Sequence, residues 1–539
     1  MLGAAVPLIL VLGLIVGIVI VAIQRSSHKQ PEKSDGADVV VYLLLALSMG
    51  VAGFALAQLA ATAFPGQSFV FDPADDLATS LAALVVSAPF LIYFWRRQAR
   101  RREEYPRSAG WTLYLALIEL VFVSAFAATA VLYINGLISE EPASAWTGAL
   151  VFGAIVAFHE YAAKVTPPLS DAGELRRVFG SAIGLITGTI GLVGVLTALF
   201  SLLYESGADS APDPGFHPWV AMLIVGAPIW AYRWLKPWDA KPSVPRLTWG
   251  VVVTVGSLAL AIGAATGIAV LLLLYLMAET SPAGQHFSTA PALLAASVSG
   301  LAVWAIHRRL LSEERGTPLQ VYMYAMAALG LLVSVAMISA LTIAAFSTTL
   351  IVGGGTEAVV TLATILAVGL ALWLFFERRA AGTEEVPGRV SWPRRLYSLG
   401  MGVVFGLGAA GALITTVFIL LRRILGSGAE GSVLEPGTIF VFSGLACWYL
   451  LARYTRERDA MAPEDVVAPF AVTLICSHPG MIAAKFPDEA RLRVVYRDDD
   501  AGVVDEEMAD EIVSAIANRP SLVWVDGDGF RIARSRGKT

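Results

Sequence analysis

Stretches of about 20 apolar residues recur along this chain, and no other feature constrains its fold as tightly. A helix of that length crosses about 30 Å of hydrocarbon. After a first stretch at Val6–Ile23, twelve more follow, near 39–62, 78–95, 110–134, 145–162, 179–203, 218–234, 248–277, 289–306, 320–346, 357–376, 397–421 and 437–452. Only 15% of the residues are charged, against about 25% in soluble domains. The pattern predicts an all-α polytopic membrane protein of about 13 transmembrane helices with a small C-terminal α/β domain. Val6–Ile23 has no basic residue ahead of it and no convincing small-residue cleavage site, so it reads as a retained span.

Charge gives the orientation. Of 38 basic residues, 36 fall in alternate loops or in the tail, and only Arg422 and Arg423 lie on the opposite side. The positive-inside rule then places the N-terminus outside and the C-terminus in the cytoplasm of a multi-pass protein of the cell membrane. The opposite loops are acidic, as in "FDPADD" at 71–76. A net charge of -5 makes no case for nucleic acid, and two cysteines, Cys447 and Cys476, imply no disulfide framework. No Walker, Rossmann, HExxH, GxSxG or paired-cysteine motif stands in its required context. The expectation is therefore no enzymatic activity, no catalytic residue, no cofactor and no metal.

The segments pair into hairpins that repeat. Aligned on Pro89 and Pro228, the second member of each pair carries Ser87, Gly153, Gly226, Gly300, Gly369 and Gly444 at one position. Four residues later stand Leu91, Ala157, Trp230, Trp304, Trp373 and Trp448. Each first member opens near an aromatic residue: Tyr42, Tyr114, Phe179, Trp249, Tyr322 or Tyr397. Such self-similarity signals a repeat architecture. It predicts a leading helix (1–24), a linker (25–37) and six two-helix repeats over 38–456 (38–104, 105–170, 171–243, 244–314, 315–390 and 391–456). A second linker (457–467) and a cytoplasmic α/β domain (468–539) follow. The glycine lets a neighbouring helix approach, and Trp230 and Trp234 beside Arg233 anchor a helix end at the interface. Pro228 kinks its helix where packing or water satisfies the freed carbonyl. Ring closure or an open fan of hairpins is left undecided.

"RRLY" (Arg394, Arg395, Leu396, Tyr397) and the G-x-P-x-W phrase at Gly226, Pro228 and Trp230 resemble a bacterial membrane-domain family of unknown function built from two-helix repeats. The resemblance implies that architecture over roughly 38–456. It brings no activity, cofactor or residue role with it.

Glu119, in "WTLYLALIELVFVSAF", is a carboxylate deep in a predicted span. An ionisable group at that depth is costly and by default a functional hypothesis, a proton relay or cation site. The plain reading is a hydrogen-bonded structural carboxyl. His159 and Glu160, in "FHEY", lie near the cytoplasmic end of the same hairpin and admit a Glu119–His159 proton path. An interfacial histidine is more often simply solvated. Arg422 and Arg423 suit either an anionic headgroup or a salt bridge to acids such as Glu430.

In the tail, "FAVTLICS" (470–477) and "RLRVVYR" (491–497) read as strands and 505–519 as a helix. "SLVWVDGDGFRIARS" (521–535) reads as a hairpin turned at Asp526–Gly529. "RDDD" (497–500) and "DGDG" (526–529) admit a divalent cation by composition, but without the spaced glutamate of a calcium loop they read better as acidic turns. Two functions stay open. One is a membrane scaffold or accessory protein whose partners are the bilayer and a cytoplasmic protein docked by 468–539. The other is a transporter or channel for a small solute, with Glu119 as coupling site. A water-accessible cavity lined by Glu119 and the Thr187, Thr189, Thr361 and Thr364 hydroxyls would favour transport, and a dry bundle would favour scaffolding.

Overall fold

A computed structural model describes residues 36–63, 73–104, 109–139, 145–167, 170–205, 215–235, 244–278, 282–313, 317–346, 355–382, 391–425, 432–459, 471–476, 482, 485, 491–496, 506–516, 521–526 and 529–534. The predicted span Val6–Ile23 lies outside them. In chain order the helices are α1 (Gly36–Thr62), α2 (Pro73–Glu104), α3 (Ala109–Ile138), α4 (Trp146–Val165), α5 (Ser170–Glu205), α6 (Phe216–Trp234) and α7 (Val244–Ala278). They continue as α8 (Ala283–His286), α9 (Ala290–Glu313), α10 (Thr317–Phe346), α11 (Gly355–Ala381), α12 (Trp392–Ile424) and α13 (Leu434–Asp459). Runs rich in valine and isoleucine are helical here because, in hydrocarbon, a single segment satisfies its own backbone only as a helix.

Each of the twelve segments read after Val6–Ile23 falls on one long helix, and α8 is a short extra turn between α7 and α9. Among the described residues, eleven helices are long and apolar enough to cross a membrane. The sequence reading counts α6 as a further span, but this 19-residue helix is not among the eleven. His217, Pro218, Pro228 and Arg233 dilute its apolar content. Large apolar side chains point away from the protein along these helices. On α12, Leu407 is 71% and Ile414 69% exposed. Contiguous apolar surface of this extent is foreign to a soluble monomer and suits a lipid-facing wall.

Helix partners within a hairpin pack on one another: α1 with α2, α3 with α4, α5 with α6, α7 with α9, and α10 with α11. In the last pair, Gly406 of α12 faces Cys447 of α13. Each hairpin also touches the next in chain order, through α1–α3, α3–α5, α5–α9, α7–α10 and α10–α12. Aromatic side chains fill two of these junctions. Tyr42, Trp111, Tyr114, Phe122 and Phe152 form one buried cluster, and Tyr322, Met326, Tyr397, Phe405 and Leu450 another.

The chain divides between Leu451 and Ala452 into two compact units. Beyond α13, the second unit holds β1 (Ala471–Cys476), β2 (Arg491–Tyr496), α14 (Glu506–Ile516), β3 (Ser521–Asp526) and β4 (Gly529–Arg534). The sheet order is β2-β1-β3-β4. β1 runs parallel to both β2 and β3, with Val472 opposite Leu492 and Ser521, while β3 and β4 form an antiparallel hairpin closed at Asp526–Gly529. Apolar positions three, four and seven apart line one face of a helix. Accordingly Ala509, Ile512 and Ile516 of α14 bury against Val472, Leu474, Val523 and Val525 of one sheet face.

Candidate functional site

Four helices bring four charged side chains together inside the bundle: Glu119 from α3, Glu160 from α4, Arg176 from α5 and Arg233 from α6. Arg233 lies between the two carboxylates. Its Nη2 is 2.6 Å from Glu119 Oε1, and its Nη1 donates to Glu160 Oε2 at 2.7 Å. Arg176 Nη1 donates to the same Glu160 oxygen at 2.7 Å and stands 4.0 Å from Glu119 Oε2. The side chains of Glu119, Arg233, Arg176 and Glu160 are only 4%, 7%, 9% and 17% exposed. Two negative and two positive groups cancel, as an environment this dry requires of charges it holds.

Local sequence explains how the cluster fits. A Cβ at Gly180 on α5 would overlap Glu119 Oε1 and press on Arg233 Nε, so only glycine leaves room for that pair. Further along the same two helices, the α5 and α6 backbones meet at Gly188 and Gly226, where a Cβ on Gly226 would overlap the Gly188 backbone. This close approach brings Arg233, two turns after Gly226, up to α3 and α4.

The other residues singled out in the sequence occupy separate places. His159 is 2% exposed. Its Nδ1 donates to the Ile155 carbonyl at 2.8 Å, since a carbonyl can only accept, and its Nε2 lies 2.7 Å from Tyr114 Oη. The structure pairs Glu119 with Arg233 and sets His159 among Tyr114, Trp95 and Phe158. Gly300 faces the α7 backbone at close range and Gly369 the Ser334 and Val333 side chains and the Gly330 carbonyl of α10, whereas Gly444 meets open space. Trp304 Nε1 donates to Tyr322 Oη, and Trp373 Nε1 to Tyr397 Oη, both at 3.1 Å. In each case the second helix of one hairpin thereby binds the first helix of the next. Trp230 and Trp234 flank His307, with ring centroids 5.7 and 5.3 Å away, and Trp448 is 67% exposed.

Thr189 lines a small pocket of about 130 Å³ with Trp230 and His307. Thr364 donates to the Val360 carbonyl of its own helix. Thr187 and Thr361 are half-buried on α5 and α11. Arg422 lies over the Phe418 ring, and Glu430, its suggested partner, is outside the described residues. "RDDD" is outside them as well.

Sequence reasoning missed Arg176 and Arg233 because it counted both as loop charges. Arg233 carried a usable signal in "AYRW", a charge inside an aromatic helix end that must turn inward if a neighbouring helix offers a carboxylate. Gly180 carried none.

Beside the cluster a cleft of about 540 Å³ runs between α3, α4 and α6, with Glu160 and Arg233 on its wall.

The model of a domain of unknown function, DUF5671, matches residues 38–162 and again 320–450. The first match covers α1 to α4 and includes Glu119 and Glu160, while Arg176 and Arg233 fall between the two. No curated protein and no solved structure matches the chain. The apolar helices and the family match define a multi-pass membrane protein of unknown activity.

Proposed function

We propose that this chain is a non-enzymatic membrane scaffold or accessory protein that docks a cytoplasmic protein through its C-terminal unit. The closure of the charge cluster carries this reading. An intramembrane carboxylate that couples transport must be reached by solvent or solute. Glu119 is instead 4% exposed and occupied by Arg233. The cluster reads as a lock that joins the second hairpin to the third.

Six hairpin repeats form the scaffold in this proposal. One family model falls on α1–α4 and again on α10–α13, and tryptophan–tyrosine bonds join consecutive hairpins at two junctions, all of which supports repetition. The bias of basic residues supports a cell-membrane protein with the C-terminal unit in the cytoplasm.

The test is purification in mild detergent of the full chain and of a chain lacking residues 463–539, followed by liposome flux. A stoichiometric soluble protein should accompany the full chain and be lost on truncation. Solute or proton flux that Glu119→Gln abolishes would overturn the reading in favour of a transporter.

A further inference from the structure

We propose that the cleft between α3, α4 and α6 binds one anionic phospholipid, with an acyl chain along Phe126 and Ala157 and the phosphate at Lys164. This site is additional to the scaffold role.

Ala157, one of the two residues with Leu91 that depart from the repeat's tryptophan, lies on the cleft wall. The residue four after the helix glycine is Trp230 in α6, Trp304 in α9 and Trp373 in α11, but after Gly153 in α4 it is Ala157. Ala157 is exposed and lines the cleft. The cleft measures about 540 Å³, within the range of roughly 300–1,000 Å³ common for small-molecule sites.

Its chemistry is that of an amphiphile site. Phe126 and the neighbouring aliphatic residues form an apolar wall, and Tyr161, Lys164 and Tyr232 gather at the other end. Tyr161 is 66% and Tyr232 48% exposed, so the cleft opens on the side of the bundle, where a lipid enters from the bilayer. Charge selects the headgroup. Glu160 and Arg233 on the cleft wall are spent within the neutral cluster. Lys164, in the last turn of α4, forms no ion pair among the described residues and leaves the cleft one positive charge in excess. The Tyr161 hydroxyl forms no hydrogen bond among those residues and is available to a phosphate oxygen. A basic pocket at the ends of membrane helices, flanked by tyrosines, is the setting in which lipid phosphates bind.

The experiment uses native mass spectrometry of the full chain, purified in detergent and supplied with phosphatidylglycerol, phosphatidylcholine or inorganic phosphate. The chain should retain one phosphatidylglycerol with about five-fold preference over phosphatidylcholine, the share of one surface charge. Ala157→Trp, which restores the indole carried by α9 and α11, should remove that bound lipid. Lys164→Gln should abolish the preference while leaving lipid in the cleft. Equal retention of both lipids, or an unchanged lipid count in Ala157→Trp, would overturn the proposal. Displacement of the lipid by inorganic phosphate would also overturn it, assigning the site to a soluble anion. Lys164 is an exposed residue whose replacement leaves the fold intact. Should Ala157→Trp fail to fold, an undiminished preference in Lys164→Gln is itself a refutation.

Discussion

Replacing Arg233 by leucine tests the lock most directly. At an effective dielectric of about 20, its contacts with Glu119 at 2.6 Å and Glu160 at 2.7 Å are each worth roughly 6 kcal/mol of gross Coulomb attraction. Most of this offsets the cost of taking the charges out of solvent, and mutual repulsion within the cluster removes more. The variant keeps Arg176 on Glu160 but leaves Glu119, 4% exposed, with its nearest cation 4.0 Å away. Removing one member of a buried pair costs about 3–5 kcal/mol. Reversible unfolding in mixed micelles titrated with SDS should show a loss of that size. Adding Glu119→Gln to Arg233→Leu removes the stranded charge, so the double variant should be more stable than Arg233→Leu alone. A loss below about 1 kcal/mol, or strictly additive effects of the two changes, would refute the idea that the cluster locks the bundle.

The same titration reads the helix contacts. Gly226→Ala should destabilise strongly because its Cβ would overlap the Gly188 backbone, while Gly444→Ala should be neutral or stabilise by about 0.5–1 kcal/mol in open space. Trp304→Phe, by removing the bond to Tyr322 Oη, should cost about 0.5–1.5 kcal/mol, and adding Tyr322→Phe should cost little more. In the α/β unit, the hydrogen bond to Asp510 holds Lys485 above its ordinary value of 10.5. A raised lysine contributes stability that is fully present below that ordinary value and is lost as pH climbs through the folded one. Pulse proteolysis of the tail in urea should therefore show a fall in stability as pH rises past about 10.5, and Lys485→Gln should flatten it.

Much of this protein was legible in its sequence, and some of it was not. The α14 face of Ala509, Ile512 and Ile516 and the β3–β4 hairpin at Asp526–Gly529 follow from local spacing, because periodicity and turn chemistry act over a few residues. The site was legible in part. Glu119 stands out because a carboxylate in an apolar run is visible by itself. Its partner Arg233 lies 114 positions along the chain and, as an arginine near a helix end, looks like any other interfacial charge. Gly180 looks like any small residue in a membrane helix.

What the sequence alone determined was a set of apolar helices, their pairing into hairpins and the positions of departure from the pattern, Ala157 among them. These depend on hydrophobicity and spacing, which each segment carries without its neighbours. Only the tertiary structure decided that Arg176 and Arg233 turn inward to Glu119 and Glu160, that His159 belongs to Tyr114, and that a cleft runs past Ala157 between α3, α4 and α6. Those outcomes depend on which helix faces which and how closely, and packing sets both.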